Sequence, residues 1–134
     1  MRGTKPHLVI DNDAVSKVTG APAWLSADAK KEWKRVLPIL VQRRILTTGD
    51  LGSVENYCIA IGQVRETERL LQKNGQIILV NDIPKRNPAA GIQSDAMTRS
   101  RLLAAELGLT PVSRSRPAIR GEDENDEFDP LNIS

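Results

Sequence analysis

Aromatic residues are scarce in this chain: Trp24, Trp33, Tyr57 and Phe128 are the whole set, 3% of 134 residues. A core must then come from Leu, Ile, Val and Ala, drawn from an apolar content of 40%. That composition favours packed helices over an aromatic-rich β-sandwich. Cys58 is the single cysteine and His7 the single histidine, so no internal disulfide forms and no Cys/His metal set exists. Neither G-x-x-x-x-G-K-[ST] nor G-x-G-x-x-G occurs, which argues against a nucleotide-driven motor and a dinucleotide site. The apolar runs are too short to span a bilayer, and the stretch from Met1 to His7 lacks the apolar segment of a signal peptide. The expectation is one soluble domain of a reducing compartment, without cofactor or metal.

What is abundant is charge, unevenly placed. The formal net charge of +2 conceals two regions of opposite sign. All 19 Lys and Arg lie in residues 1–120, with 11 of the 17 Asp and Glu. Residues 121–134 hold the other carboxylates and no base. A basic body points to a polyanionic partner, and the acidic tail has either a separate binding role or only a solubilising one.

Periodicity divides the chain into an N-terminal arm (residues 1–21), a helical body (22–111) and a basic-then-acidic flexible tail (112–134). The expected fold is mainly α: a three-helix core with a short β-hairpin between the second and third helices, and flexible N- and C-terminal tails. Ser26 is a good N-cap, Asp28 suits the first turn, and Ala29, Trp33, Val36, Leu37 and Leu40 repeat at helical spacing. Pro38 is expected to bend or split this first helix, because it removes an amide and crowds the preceding turn. Trp24 or Leu25 is placed to staple onto the first turn. A second helix is predicted from Thr48 to about Lys73, with Thr47 or Thr48 capping and Leu51, Val54, Cys58, Ile61, Val64 and Leu71 on its apolar stripe. Asn74-Gly75 stops it. Gln76–Val80 reads as a strand, and with Ile83-Pro84-Lys85 it makes a hairpin in which Pro84 must lie at an edge. Pro88 after Asn87 opens a third helix, with Ile92, Ala96, Leu103 and Leu107 as its stripe, and Gly108 ends it.

Catalytic arrangements are missing from this pattern. A nucleophile–base pair would need His7, which lies in the arm, together with Cys58 or a serine. Cys58 falls on the apolar stripe and reads as a buried structural thiol. The only dense carboxylate cluster, Glu122 to Asp129, lies in the tail. The functional candidates are basic: Lys30, Lys31, Lys34 and Arg35 on the first helix, Arg43 and Arg44 after it, and Lys85, Arg86, Arg99, Arg101, Arg114, Arg116 and Arg120 further on. Such clusters suit a phosphate backbone, where binding releases counterions; the plainer reading is a solvated helix face. A helix-turn-helix is compatible with the short link from Arg44 to Gly49, but Glu55, Glu66 and Glu68 argue against deep groove insertion of the second helix.

The order of several short pieces carries more. Pro22-Ala23-Trp24-Leu25-Ser26 is followed by Trp33 with Leu37 and Leu40, then Leu46-Thr47-Thr48-Gly49-Asp50, Tyr57 and Asn74-Gly75. Asn87-Pro88-Ala89 comes next, then Glu106-Leu107-Gly108-Leu109-Thr110-Pro111 with Ser113-Arg114. Across residues 22–116 this resembles the small subunit of tailed-phage terminases. Asn87-Pro88 stands where that family often has a His-Pro pair, so no histidine role carries over.

The resemblance implies a mainly helical, non-catalytic protein that assembles as a ring-like homo-oligomer in the host cell cytoplasm. It implies recognition of the packaging-initiation site on double-stranded phage DNA and delivery of that DNA to the terminase large subunit, which holds the ATPase and nuclease. Phe128, Leu131 and Ile133, set in the acidic tail, are then candidates for docking to the large subunit. Two other readings of the same residues stay open: a dimeric DNA-binding transcriptional regulator, and a structural interaction protein.

Overall fold

The computed structural model describes residues 14–44 and 46–111. It contains α1 (Ala27–Arg43), a one-turn 3-10 segment (Thr48–Asp50), α2 (Leu51–Asn74), β1 (Ile77–Val80), β2 (Ile83–Arg86) and α3 (Pro88–Glu106). This is the expected three-helix arrangement with a two-stranded antiparallel hairpin between the second and third helices. Helix α2 packs extensively against both of the others.

Each helix begins and ends where its local chemistry dictates. Ser26 Oγ accepts the Ala29 amide at 3.2 Å, satisfying one orphan donor at the start of α1. Leu25, not Trp24, packs beneath this cap: Leu25 is buried and Trp24 is 65% exposed. Helix α1 is continuous through Pro38, so the expected split does not occur. Pro38 lies on the exposed side, while Val36, Leu37 and Leu40 around it are fully buried. The packing of those neighbours holds the backbone helical although one amide donor is missing. Arg44 closes the helix in the left-handed region at φ 60°, its amide bonding Val41 O at 3.0 Å. Before α2, the Thr47 amide and hydroxyl donate to Asp50 Oδ2 at 2.9 and 3.0 Å, which fixes the entry turn.

The end of α3 is a Schellman cap. Gly108 has φ 75°, its amide bonds Ala105 O at 3.2 Å, and the Leu109 amide bonds Ala104 O at 2.8 Å. The same Gly108 offers its carbonyl to Arg43 Nη1 at 2.6 Å, tying the end of α1 to the end of α3.

The main core lies between α1 and α2 and is closed by the end of α3. Leu25, Ala29, Trp33, Val36, Leu37, Leu40, Leu46, Val54, Tyr57, Cys58 and Leu107 form one buried cluster. Gly62 is part of this seam: a Cβ there would lie 3.2 Å from Ser26 Oγ and 3.3 Å from the Ala29 amide nitrogen. Small residues dominate where α2 and α3 bury their surfaces, with Ala60, Thr67, Ala89, Ala96 and Ser100 all buried. Ile92, expected on the α3 stripe, is instead 50% exposed.

Part of the expected N-terminal arm is held against the body. The Val15 amide bonds Leu46 O at 2.7 Å, and Trp33 Nε1 donates to Thr19 O at 2.9 Å. Among the described residues no helix is long and apolar enough to cross a membrane.

Candidate nucleic-acid interface

The outward side of α1 carries Lys31, Lys34 and Arg35 exposed and Lys30 half-buried. The three lysines make no ion pair or side-chain hydrogen bond among the described residues, so their ammonium groups face solvent uncommitted. Next to them runs a charged ladder across the α1–α2 seam. Arg69 grips Asp28 through both terminal nitrogens. Arg65 lies 3.5 Å from Glu32, and Arg35 binds Glu32 in two-pronged fashion at 2.5 and 3.0 Å.

Glu32 is the unusual member. It is 1% exposed, yet both its oxygens are engaged: besides the arginines, Tyr57 Oη donates to Oε2 at 2.6 Å. Burial by itself would raise the carboxyl pKa, but the hydrogen bonds from Arg35 and Tyr57, with the charges of Arg35 and Arg65, outweigh it and hold the group below the usual carboxylate range. Burial and the Glu32 contact push the Tyr57 phenol upward, so it remains a donor. The hydrogen bond to Glu32 likewise raises Arg35. The effect is positional. A buried carboxylate fixes two exposed guanidiniums beside the lysines of α1, so the surface becomes a preset cationic strip over two screened anions. Asp28 is held low chiefly by its hydrogen bond from Arg69.

Arg65 and Arg69 escape a sequence reading that looks for clusters of base alone. Their signal is two ladders of matching spacing: Asp28 and Glu32 four apart on α1, Arg65 and Arg69 four apart on α2. The other candidates are scattered. Arg43 is committed to Gly108 at the opposite end of α1, with Arg44 exposed beside it. Lys85 and Arg86 are exposed on β2. Arg99 donates to Gln63 Oε1 at 2.8 Å, and Arg101 is exposed on α3. Arg114, Arg116 and Arg120, and the docking candidates Phe128, Leu131 and Ile133, lie outside the described residues.

Burial, then the charge of Glu32, pushes the Cys58 thiol up to about 12, so it is neither ionised nor accessible at neutral pH. No group of three or more His, Cys, Asp or Glu among the described residues is placed to hold a metal ion.

No curated protein and no solved structure matches the chain. Residues 29–124 do match a family, described as phage terminase, small subunit. That span takes in α1 from Ala29 onward, the other two helices, the hairpin and every basic residue of the strip, and covers well over half of the chain. The chain therefore belongs to the phage terminase small-subunit family, whose role is in phage genome packaging.

Proposed function

We propose that this protein is the non-catalytic DNA-recognition subunit of its packaging complex. It binds double-stranded viral DNA at the packaging-initiation site, as a ring-shaped homo-oligomer, and hands the DNA to the large subunit. Family membership over residues 29–124 carries the reading. The surface proposed to hold phosphates is the outward face of α1 with the seam beside it: Lys30, Lys31, Lys34, Arg35, Arg65 and Arg69. Uncommitted lysines suit a polyanionic backbone, and the guanidiniums beside them, held by Glu32 and Asp28, add positive charge at fixed positions.

Duplex retention measured across a salt series tests this. For the unaltered protein the logarithm of the binding constant falls linearly with the logarithm of salt concentration. In Lys30→Glu/Lys31→Glu/Lys34→Glu the slope becomes shallower by roughly 0.9 for each phosphate that the protein no longer neutralises. An unchanged slope and affinity would move DNA to another surface. Delivery is tested separately. Removal of residues 121–134 leaves DNA retention intact and abolishes co-purification with the large subunit; unchanged co-purification would rule the tail out as the docking segment.

A further inference from the structure

The hairpin is well formed and poorly covered. Asn81 and Asp82 have φ of 54° and 64°, the pair of left-handed conformations that a tight two-residue turn requires. Its base is fastened by Asn87, whose amide bonds Gln76 O at 2.7 Å and whose Nδ2 donates to Gly75 O at 2.9 Å. Directly opposed residues share a face. Ile77 and Leu79 therefore lie with Arg86 and Pro84, while Ile78 and Val80 lie with Lys85 and Ile83. Ile77 and Leu79 are 63% and 69% exposed, and Ile83 on the other face is 57% exposed. A two-stranded ribbon is marginal in water by itself, and this one is apolar on both faces. The helices of its own chain leave both faces largely bare.

A receiver of matching character exists elsewhere on the same molecule. Two adjoining clefts of about 320 and 270 Å³ share Ile59 and Gln63 in their walls and run from the Trp24 loop along α2 towards α3. Trp24 stands exposed at the rim, and Ile59 and Gly62 of α2 line the cleft. Glu66 borders the same cleft, is exposed, and makes no ion pair or side-chain hydrogen bond among the described residues. Arg99 lines the second cleft at its α3 end, where it donates to Gln63 Oε1 at 2.8 Å and keeps its charge. The barest ribbon face thus pairs two aliphatic side chains with a cation, and the Trp24 end of the cleft pairs an apolar wall and a tryptophan with an anion.

We propose that the β1–β2 ribbon of one copy seats in the Trp24–Ile59 cleft of the next, with Ile77 and Leu79 inserted and Arg86 facing Glu66. Ribbon and cleft are different patches, so the contact is head to tail. Repetition of such a contact closes into a ring when the rotation permits. The proposal rests on the homo-oligomer part of the function above and names the surfaces that make it.

The test uses the full chain, with mass read by light scattering. The ribbon variant is Ile77→Asp/Leu79→Asp, and the cleft variant is Trp24→Asp/Glu66→Arg. All four positions are exposed, and circular dichroism and thermal midpoints close to those of the unaltered protein verify that both variants fold. The unaltered protein runs as an assembly. Each variant alone falls to the monomer mass of 14.8 kDa. An equimolar mixture of the two recovers a dimer and nothing larger, since one intact ribbon and one intact cleft remain between them.

Four outcomes overturn the proposal. They are a monomeric unaltered protein, a mixture of folded variants that stays monomeric, a ribbon variant that dissociates while the cleft variant assembles normally, and an assembly mass that neither variant changes. The third would indicate ribbon-to-ribbon pairing, and the fourth would leave the ribbon for the acidic tail or the large subunit. The DNA reading fails separately. An assembled protein that retains no duplex at low salt refutes recognition and leaves the head-to-tail contact standing.

Discussion

At the residue scale, Glu32 combines stability with the placement of charge. Glu32→Gln removes the anion that Arg35, Arg65 and Tyr57 address, and hydrogen bonds to charged groups contribute about 1.5–3 kcal/mol. A loss of that size in unfolding free energy, read as a lower urea midpoint, is expected. The pH dependence has a definite sign. A carboxyl whose folded pKa lies below its unfolded value of 4.5 adds stability that is fully present above pH 4.5 and lost as pH falls through the folded value. The unaltered protein therefore weakens on acidification below about pH 4.5, and Glu32→Gln removes that part of the decline. Two glycines give opposite expectations. Gly91→Ala meets nothing within 4 Å and gains up to about 1 kcal/mol of helix propensity. Gly62→Ala has the same intrinsic gain, but its Cβ would press on the Ala29 backbone nitrogen, where overpacking costs about 1–3 kcal/mol. Thermal unfolding should rank Gly91→Ala above the unaltered protein and Gly62→Ala below it.

At the scale of elements, Pro38 shows packing overruling propensity. Proline in a helix interior is about 3 kcal/mol worse than alanine, part of which is recovered because proline also restricts the unfolded chain. Pro38 is exposed, so replacing it gives up no core packing. Pro38→Ala is expected to stabilise by about 2 kcal/mol, read as a higher urea midpoint with unchanged slope. Element boundaries are legible from sequence wherever a local device sets them. Ser26, Asn87-Pro88, Asn74-Gly75 and Gly108 act through their own turn and mark helix ends, while Thr47 caps the 3-10 turn from which α2 starts at Leu51. The α3 stripe is less legible. Ile92 keeps helical spacing with Ala96 and Leu103, yet α2 meets α3 through small residues that bring the backbones close, which leaves Ile92 at the edge of the contact.

At the scale of the whole molecule, the fold separates its stabilising charges from its free ones. Glu32, Asp28 and their arginines bind the α1–α2 seam, whereas Lys30, Lys31 and Lys34 pair with no group among the described residues. Lys30→Glu/Lys31→Glu/Lys34→Glu should therefore cost no more than about 0.5 kcal/mol per substitution, a small drop in thermal midpoint, in the same preparation that loses DNA retention. A collapse of the midpoint would mean that the lysines support the fold and that weaker retention says nothing about where DNA binds. The exposed ribbon and the Trp24 cleft belong to this scale too, since each acquires meaning only beside another molecule.

The amino-acid sequence by itself determined the helix caps, the turn at Asn81-Asp82, the mainly helical composition and the family, because each depends on neighbours in the chain or on the order of short pieces along it. Tertiary structure alone decided that Glu32 is buried and set between Arg35, Arg65 and Tyr57. It also decided that Trp24 faces outward while Leu25 packs, and that α1 continues through Pro38. Those outcomes depend on which groups from distant segments meet. Helical periodicity states that a residue lies on a face; only the packed partner determines whether that face is buried, paired or bare.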